Sequence, residues 1–148
     1  IFTMPNADTH GRIIFKLIED FVKLHPKAKS FTSLGQLRYF SLIKYVDGII
    51  GNSSSGLAEV PSFKKGTINI GDRQKGRLKA ESVIDCEPNK ISISNAIRLL
   101  YSNEFQKKLL KFKNPYGLEG ANENIVNILQ EISLDGIHKK VFYNLFHE

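Results

Sequence analysis

The sequence has little of several features that would assign it to a specialised class of protein. Its single cysteine, Cys86, cannot form an internal disulfide, and this fits the reducing cytoplasm, where we expect the protein to act. The four histidines are scattered without the spacing of metal ligands, so we expect no metal and no other cofactor. No apolar run approaches the roughly 18 residues that cross a bilayer, so we expect no membrane partner. The first residues also lack the basic region of a signal peptide.

The composition is that of an ordinary globular domain. With 148 residues, 41% of them apolar and 24% charged, the chain is long enough to bury a proper core. Because a strand pattern begins at the first residue, we interpret the chain as an interior part of a larger protein. We expect one domain over residues 1–134, followed by a C-terminal helix or tail over residues 135–148.

The net charge of +6 is unevenly distributed. One region carries six basic residues against a single acid, Asp72, and consists of Lys64, Lys65, Arg73, Lys75, Arg77 and Lys79. A basic surface can bind nucleic acid, but no aromatic residues are interleaved with these charges and no nucleic-acid-binding motif is present. We therefore expect a small polyphosphate ligand and no nucleic acid partner.

Strand and helix patterns alternate along the chain. Strand patterns cover residues 1–4, 28–32, 48–51, 67–70 and 82–86. Helical patterns cover residues 11–24, 35–45, 57–63, 103–112 and 122–132, another that begins at 89 or 92 and reaches 101, and a last helix or docking tail at 137–146. We expect Pro61 to shorten or kink the helix over 57–63. Alternation predicts an α/β fold: one Rossmann-like parallel sheet with helices on both faces.

Small polar residues follow the apolar run Gly48–Gly51, which we interpret as a buried strand. The turn Asn52–Gly56 precedes a helix, and a helix N-terminus offers unpaired N–H groups and partial positive charge to a phosphate. An ordinary strand-to-helix turn with a serine N-cap explains the same residues. Two more polar segments, Asn6–Thr9 and Gly71–Arg77, follow other strands, and ligands of parallel sheets bind at these carboxyl ends.

The run GNSSSGLAEVPSFKKGTINIGDRQKGR, Gly51 to Arg77, resembles the hydrolysing UDP-N-acetylglucosamine 2-epimerases, especially their sialic-acid-pathway branch. The segments Pro5–Asp8 and Pro115–Gly117 are similar to the same branch. The resemblance covers nearly the whole chain. It implies the second domain of a two-domain GT-B fold that lacks its first strand and helix, with the other domain outside this sequence.

The resemblance also implies roles for individual residues, all of them in binding UDP. Amides and hydroxyls around Ser53 and Ser54 would bind the diphosphate, and Glu59 would accept hydrogen bonds from the ribose. Arg73 would meet the diphosphate or the uridine. The remaining candidates for the UDP site are Ser55, Gly56, Gln74, Arg77, Tyr39 against the uracil, and Asn6 facing the cleft beside Asp8.

Structural explanations stay open for several of these residues. Glu59 can serve the helix dipole, and Tyr39 can simply fill the core. The loop residues can be solvated charges and polar groups, which applies to Arg73, Gln74 and Arg77. Turn formation and helix capping account equally for Asn6 and Asp8.

The implied reaction converts UDP-N-acetylglucosamine and water to N-acetylmannosamine and UDP. Loss of the C2 proton with expulsion of UDP gives a glycal, to which water adds. In this family the acids assigned to proton transfer lie in the first domain, so we assign no catalytic residue here and expect the chain alone to be inactive. Expected partners are a UDP-sugar, the missing N-terminal domain and a second copy of the enzyme. A GT-B glycosyltransferase domain and a non-catalytic nucleotide-binding module are the alternatives.

Overall fold

Short parallel strands alternate with helices in the predicted order. The computed structural model describes residues 1–5, 11–117, 120–136 and 138–139. The strands are β1 (Phe2–Thr3), β2 (Ser30–Phe31), β3 (Gly48–Gly51), β4 (Gly66–Ile70) and β5 (Val83–Cys86). The helices are α1 (Gly11–Leu24), α2 (Gly35–Tyr45), α3 (Ser55–Ala58), α4 (Lys90–Leu100), α5 (Asn103–Leu109) and α6 (Ala121–Glu131), with a 3-10 turn at Val60–Phe63. The parallel α/β class is therefore confirmed.

The strands form two parallel sheets, where the sequence predicted a single one. One sheet pairs β1 with β2, and the other has the order β3–β4–β5. Among the residues that the structure describes, β3 is consequently an edge strand, and its Ile50 side chain is 51% exposed, so the expectation of a buried strand is wrong for this chain. Periodicity within a strand carries no information about which neighbours the strand will find.

The two faces of β4 pack against different elements. Gly66 and Ile68 face α4 and α5, where Ile68 joins the core cluster. Thr67 faces the other way and contacts Gly56 of α3. Helices thus cover both faces of this sheet. The buried members of the core cluster are Ile68, Cys86, Ala96, Leu100, Phe105, Leu109 and Phe112.

The helix that follows β3 differs from its predicted bounds. The predicted segment 57–63 is not one α-helix: α3 begins two residues earlier and ends at Ala58, and a 3-10 turn continues from Val60 to Phe63, in line with the expected effect of Pro61. Pro61 has no N–H group for an α-helical hydrogen bond, and Lys64 adopts the left-handed conformation, with φ of 56°, that ends the turn. By contrast, α4 begins at the first of the two predicted positions. Asn89 is its N-cap residue, and Asn89 Oδ1 accepts a hydrogen bond from the Ser92 N–H at 2.9 Å.

Two helices keep their apolar faces exposed. The predicted apolar stripe of α1 is present, but its large side chains are exposed, and so are those of α6. The exposed apolar side chains of the two helices are Ile13, Ile14, Leu17, Phe21, Ile125, Val126, Ile128 and Leu129. None of the described helices is long and apolar enough to cross a membrane. The predicted turn at 6–9 and most of the predicted segment 137–146 lie outside the described residues.

The close approach of α4 to the sheet gives a test of this packing. A Cβ atom at Gly66 would lie 2.3 Å from Leu100 Cδ1 and 3.0 Å from Phe105 Cε1. We expect Gly66→Ala to lower the free energy of unfolding by about 1–3 kcal/mol, because the core would have to shift. Gly117→Ala is the matched control, since the nearest atom there is 3.5 Å away. Urea denaturation measures both, and equal effects of the two substitutions would contradict the packing described here.

Candidate functional site

The loops after β3 and β4 meet at one edge of the sheet, because both strands are parallel neighbours. The side chain of Gln74 in the second loop donates from Nε2 to the backbone carbonyl of Asn52 in the first loop, at 2.7 Å. Gln74 is only 3% exposed, and its Oε1 has no partner among the described residues. The buried Gln74 side chain therefore links the two loops, and its direct contact with UDP stays a prediction.

The turn after β3 presents small polar side chains to solvent. Asn52, Ser53 and Ser54 are exposed. The Ser53 carbonyl accepts from the Gly56 N–H at 3.2 Å, and the Ser54 carbonyl accepts from the next two N–H groups at 3.0 Å. Ser54 occupies the N-cap position, but its side chain makes no capping hydrogen bond. Its hydroxyl is thus available for a ligand, as are the N–H groups of Ser53 and Ser54, for which the described residues supply no acceptor.

Gly56 lies beneath this turn and contacts the sheet. A Cβ atom there would lie 2.6 Å from Thr67 Cγ2, and the Gly56 carbonyl accepts a hydrogen bond from Thr67 Oγ1 at 2.8 Å. Glycine is required at this position because α3 lies so close to β4. This packing role is what the structure places on Gly56, and its predicted contact with UDP is untested.

Three side chains form a hydrogen-bonded chain behind the turn. The Tyr39 hydroxyl from α2 lies 2.6 Å from Ser55 Oγ, and Ser55 Oγ in turn donates to Glu59 Oε2. Burial raises the pKa of Tyr39, the hydrogen bond with Ser55 opposes that rise, and the charge of Glu59 adds to it. The Tyr39 hydroxyl therefore contacts the turn through Ser55, and the predicted place of the ring against the uracil stays a prediction.

The basic region contributes less positive charge to the site than its composition suggested. Lys79 Nζ forms an ion pair with Asp85, at 2.8 and 2.7 Å from the two carboxylate oxygens. Lys64 Nζ donates to the Phe112 carbonyl at 2.6 Å. Arg73 and Arg77 are exposed in this loop, and their contact with a phosphate stays a prediction. Asn6 lies outside the described residues, so its predicted place in the cleft stays a prediction.

Sequence reasoning missed several residues that hold these loops in place. Asn69 Nδ2 donates to Asp85 Oδ1 at 2.7 Å across neighbouring strands. Asn114 Nδ2 donates to the Ala58 carbonyl at 2.8 Å, and the Tyr116 hydroxyl donates to the Leu78 carbonyl at 2.9 Å. The motif Pro115–Gly117 thus has a structural role, because Tyr116 anchors the end of the basic loop.

The site lacks the features of a metal centre, since no three His, Cys, Asp or Glu side chains come together within the described ranges. Its residues carry N–H groups, hydroxyls, guanidinium groups and the Glu59 carboxylate. Such a set can hold an anion and a neighbouring hydroxyl-bearing group.

Comparison with known proteins identifies the family. The family model described as UDP-N-acetylglucosamine 2-epimerase matches residues 1–130. This chain belongs to that family. A family match over this much of the chain argues against the glycosyltransferase alternative.

Several curated proteins are similar to this member of the epimerase family. A protein of Campylobacter jejuni named GDP/UDP-N,N'-diacetylbacillosamine 2-epimerase (hydrolyzing) is 45% identical over 98% of this chain and 38% of its own length. Polysialic acid biosynthesis protein P7 of Escherichia coli is 42% identical over 98% of this chain and 37% of its own length. A UDP-N,N'-diacetylbacillosamine 2-epimerase (hydrolyzing) of Legionella pneumophila is 30% identical over 88% of this chain and 33% of its own length. The chain thus spans between 33% and 38% of the length of these relatives.

The ion pair beside the site predicts a pH dependence of stability. Burial alone would raise the pKa of Asp85, but hydrogen bonds from Lys79 and Asn69 outweigh it, so the pKa lies below its ordinary value. A carboxyl group with a lowered pKa stabilises the fold above about pH 4, and this stabilisation is lost as the pH falls through the folded-state pKa. We expect Asp85→Asn to lower the thermal midpoint at pH 7 and to have a smaller effect near pH 3.

The matched control for this pH series is Asp72→Asn, an exposed aspartate in the same basic region. Thermal unfolding of both variants is followed by circular dichroism from pH 3 to pH 7. An Asp85→Asn effect that is constant across this range would contradict the role assigned to the ionised carboxylate.

Proposed function

We propose that this chain is the UDP-binding half of a hydrolysing UDP-N-acetylglucosamine 2-epimerase. The observation that carries the proposal is the junction of two loops at one sheet edge, where the Gln74 side chain bonds to the Asn52 carbonyl. That junction brings the exposed turn of Ser53 and Ser54 next to the arginine-bearing loop after β4. Membership of a family whose description names a UDP-sugar supports uridine diphosphate as the anion.

In the proposed complex, the diphosphate meets the N–H groups and hydroxyls of Ser53 and Ser54, and Arg73 reaches it from the opposite loop. A guanidinium fork is suited to two phosphate oxygens at once. Expulsion of UDP leaves negative charge on the diphosphate, and dipoles that are already oriented stabilise this charge as it develops. This half of the enzyme therefore holds the leaving group, and the proton transfer at C2 belongs to the other domain.

The sugar is proposed to be N-acetylglucosamine, with a diacetamido sugar as a second candidate. The second candidate rests on the names of the Campylobacter jejuni and Legionella pneumophila relatives, both of which mention N,N'-diacetylbacillosamine. Residues that distinguish the two sugars are expected mainly in the other domain, whereas the UDP contacts are the same for both.

The split into two sheets supports the proposal that a preceding strand belongs between them. A doubly wound sheet has the strand order 3-2-1-4-5-6, in which the first strand lies between the second and the fourth. If β1 and β2 are the second and third strands, then β3, β4 and β5 are the fourth, fifth and sixth. An open cavity of about 550 Å³ beside β3, lined by residues that include Gly48, Ile50 and Leu100, offers space for the packing of that missing unit.

UDP binding is the direct test of the proposed function. Calorimetry on the full-length protein is expected to show binding of UDP and none of a short RNA of similar charge. We expect Glu59→Ala to weaken UDP binding by about 10- to 100-fold, because a hydrogen bond to a charged group contributes roughly 1.5–3 kcal/mol. Glu104→Ala on the surface of α5 is the control and should change nothing. Absence of UDP binding to the full-length protein would refute the proposal.

The stability of the fragment tests the missing strand. Residues 1–148 alone should unfold at a lower temperature than the same chain extended by about 30 preceding residues, enough for one strand and one helix. The short fragment should also self-associate, because its unpaired strand edges and exposed apolar helix faces lack partners. Differential scanning calorimetry and ultracentrifugation measure these properties, and a monomeric fragment as stable as the extended chain would speak against the missing strand.

A further inference from the structure

We propose that Tyr39 and Ser55 are positioning residues that fix the orientation of the Glu59 carboxylate, and thereby set the preference of the site for a ribose with its hydroxyls. This inference rests on the proposed function, and it assigns to Ser55 a task other than binding the diphosphate. We call the three side chains the Tyr39–Ser55–Glu59 relay.

The direction of the hydrogen bonds in the relay follows from the chemistry of its groups. An ionised carboxylate only accepts hydrogen bonds, so Ser55 must use its single proton on Glu59 Oε2. The Tyr39 hydroxyl, 2.6 Å from Ser55 Oγ, must then donate its own proton to that oxygen. Burial raises the pKa of Tyr39, the hydrogen bond with Ser55 opposes that rise and the Glu59 charge adds to it, and the net rise keeps the phenol protonated as a donor.

Two elements far apart in sequence build the relay. Ser55 and Glu59 are four residues apart, so the start of α3 and the residue that follows it bring them onto the same side. Tyr39 comes from α2, which packs against the 3-10 turn through the rings of Phe40 and Phe63, with centroids 5.4 Å apart. The position of the Tyr39 hydroxyl is therefore set by tertiary packing and not by the turn that it supports.

The relay engages only one of the two carboxylate oxygens. Glu59 is half-buried, and its Oε1 has no hydrogen-bond partner among the residues that the structure describes. A glutamate side chain that is unrestrained loses considerable rotamer freedom when a ligand fixes it. Because Ser55 already holds Oε2, Oε1 is oriented in advance to accept from ribose hydroxyls, and less of that loss falls on the binding step.

The test compares two ligands in the full-length protein, UDP and 2',3'-dideoxyuridine diphosphate, which lacks the ribose hydroxyls. Tyr39→Phe and Ser55→Ala should each weaken UDP binding about three- to tenfold, the range expected when one hydrogen bond is lost, and should leave binding of the dideoxy ligand unchanged. Ser55→Thr, which retains the hydroxyl, should restore UDP binding. Ser41→Ala is the matched control on the same helix as Tyr39, because Ser41 is exposed and its hydroxyl donates to the Leu37 carbonyl of that helix.

The possible outcomes separate this inference from the proposed function. Wild-type protein that binds neither ligand would overturn both. Wild-type protein that binds UDP, with Tyr39→Phe and Ser55→Ala unchanged, would overturn the relay and leave the proposed function in place. Equal weakening of both ligands by these variants would also overturn it, because a purely structural role or a direct phosphate contact does not depend on the ribose hydroxyls.

Discussion

The arrangement of the site depends on β4, which lies between β3 and β5 and has helices on both faces. One face of the strand packs against α4 through Gly66 and Ile68, where a missing Cβ lets the Leu100 side chain come close. The other face packs against α3 through Thr67 and Gly56, where an added Cβ would also be too close. The turn after β3 is therefore held against the sheet through the Gly56 backbone. Its small exposed side chains are not needed for packing.

Much of the fold could be predicted from local patterns in the sequence. The bounds of α1, α2 and β3 agree with the predicted segments, because apolar periodicity and the flanking Gly and Pro residues are local signals. The division into two sheets could not be predicted, since pairing depends on strands that are distant in sequence. The interruption of the helix near Pro61 could be predicted because proline has no N–H group for the hydrogen-bond ladder, whereas the start of α3 at Ser55 lies two residues before the predicted one.

The sequence indicated which loops form the candidate site, but it did not indicate the role of each residue in them. The sequence pointed to Ser53, Ser54 and Arg73, which are exposed at the sheet edge. Gln74 and Gly56 were placed in the same group, but the structure buries both of them and gives them packing or bonding tasks. The number of basic residues overestimated the positive charge of the loop, because Lys79 forms an ion pair with Asp85 on the following strand. Side-chain partners of this kind are set by register, and register is not visible in composition.

The separation of β1–β2 from β3–β4–β5 bears on how a protein of this class can be divided. In a doubly wound sheet, the strand that comes first along the chain lies in the middle of the sheet. A cut placed shortly after the start of such a domain therefore removes its centre, whereas a cut at the far end removes only its rim. Fragments and fusions of these enzymes should accordingly be joined before the first strand, because sequence order and spatial order differ most at that point.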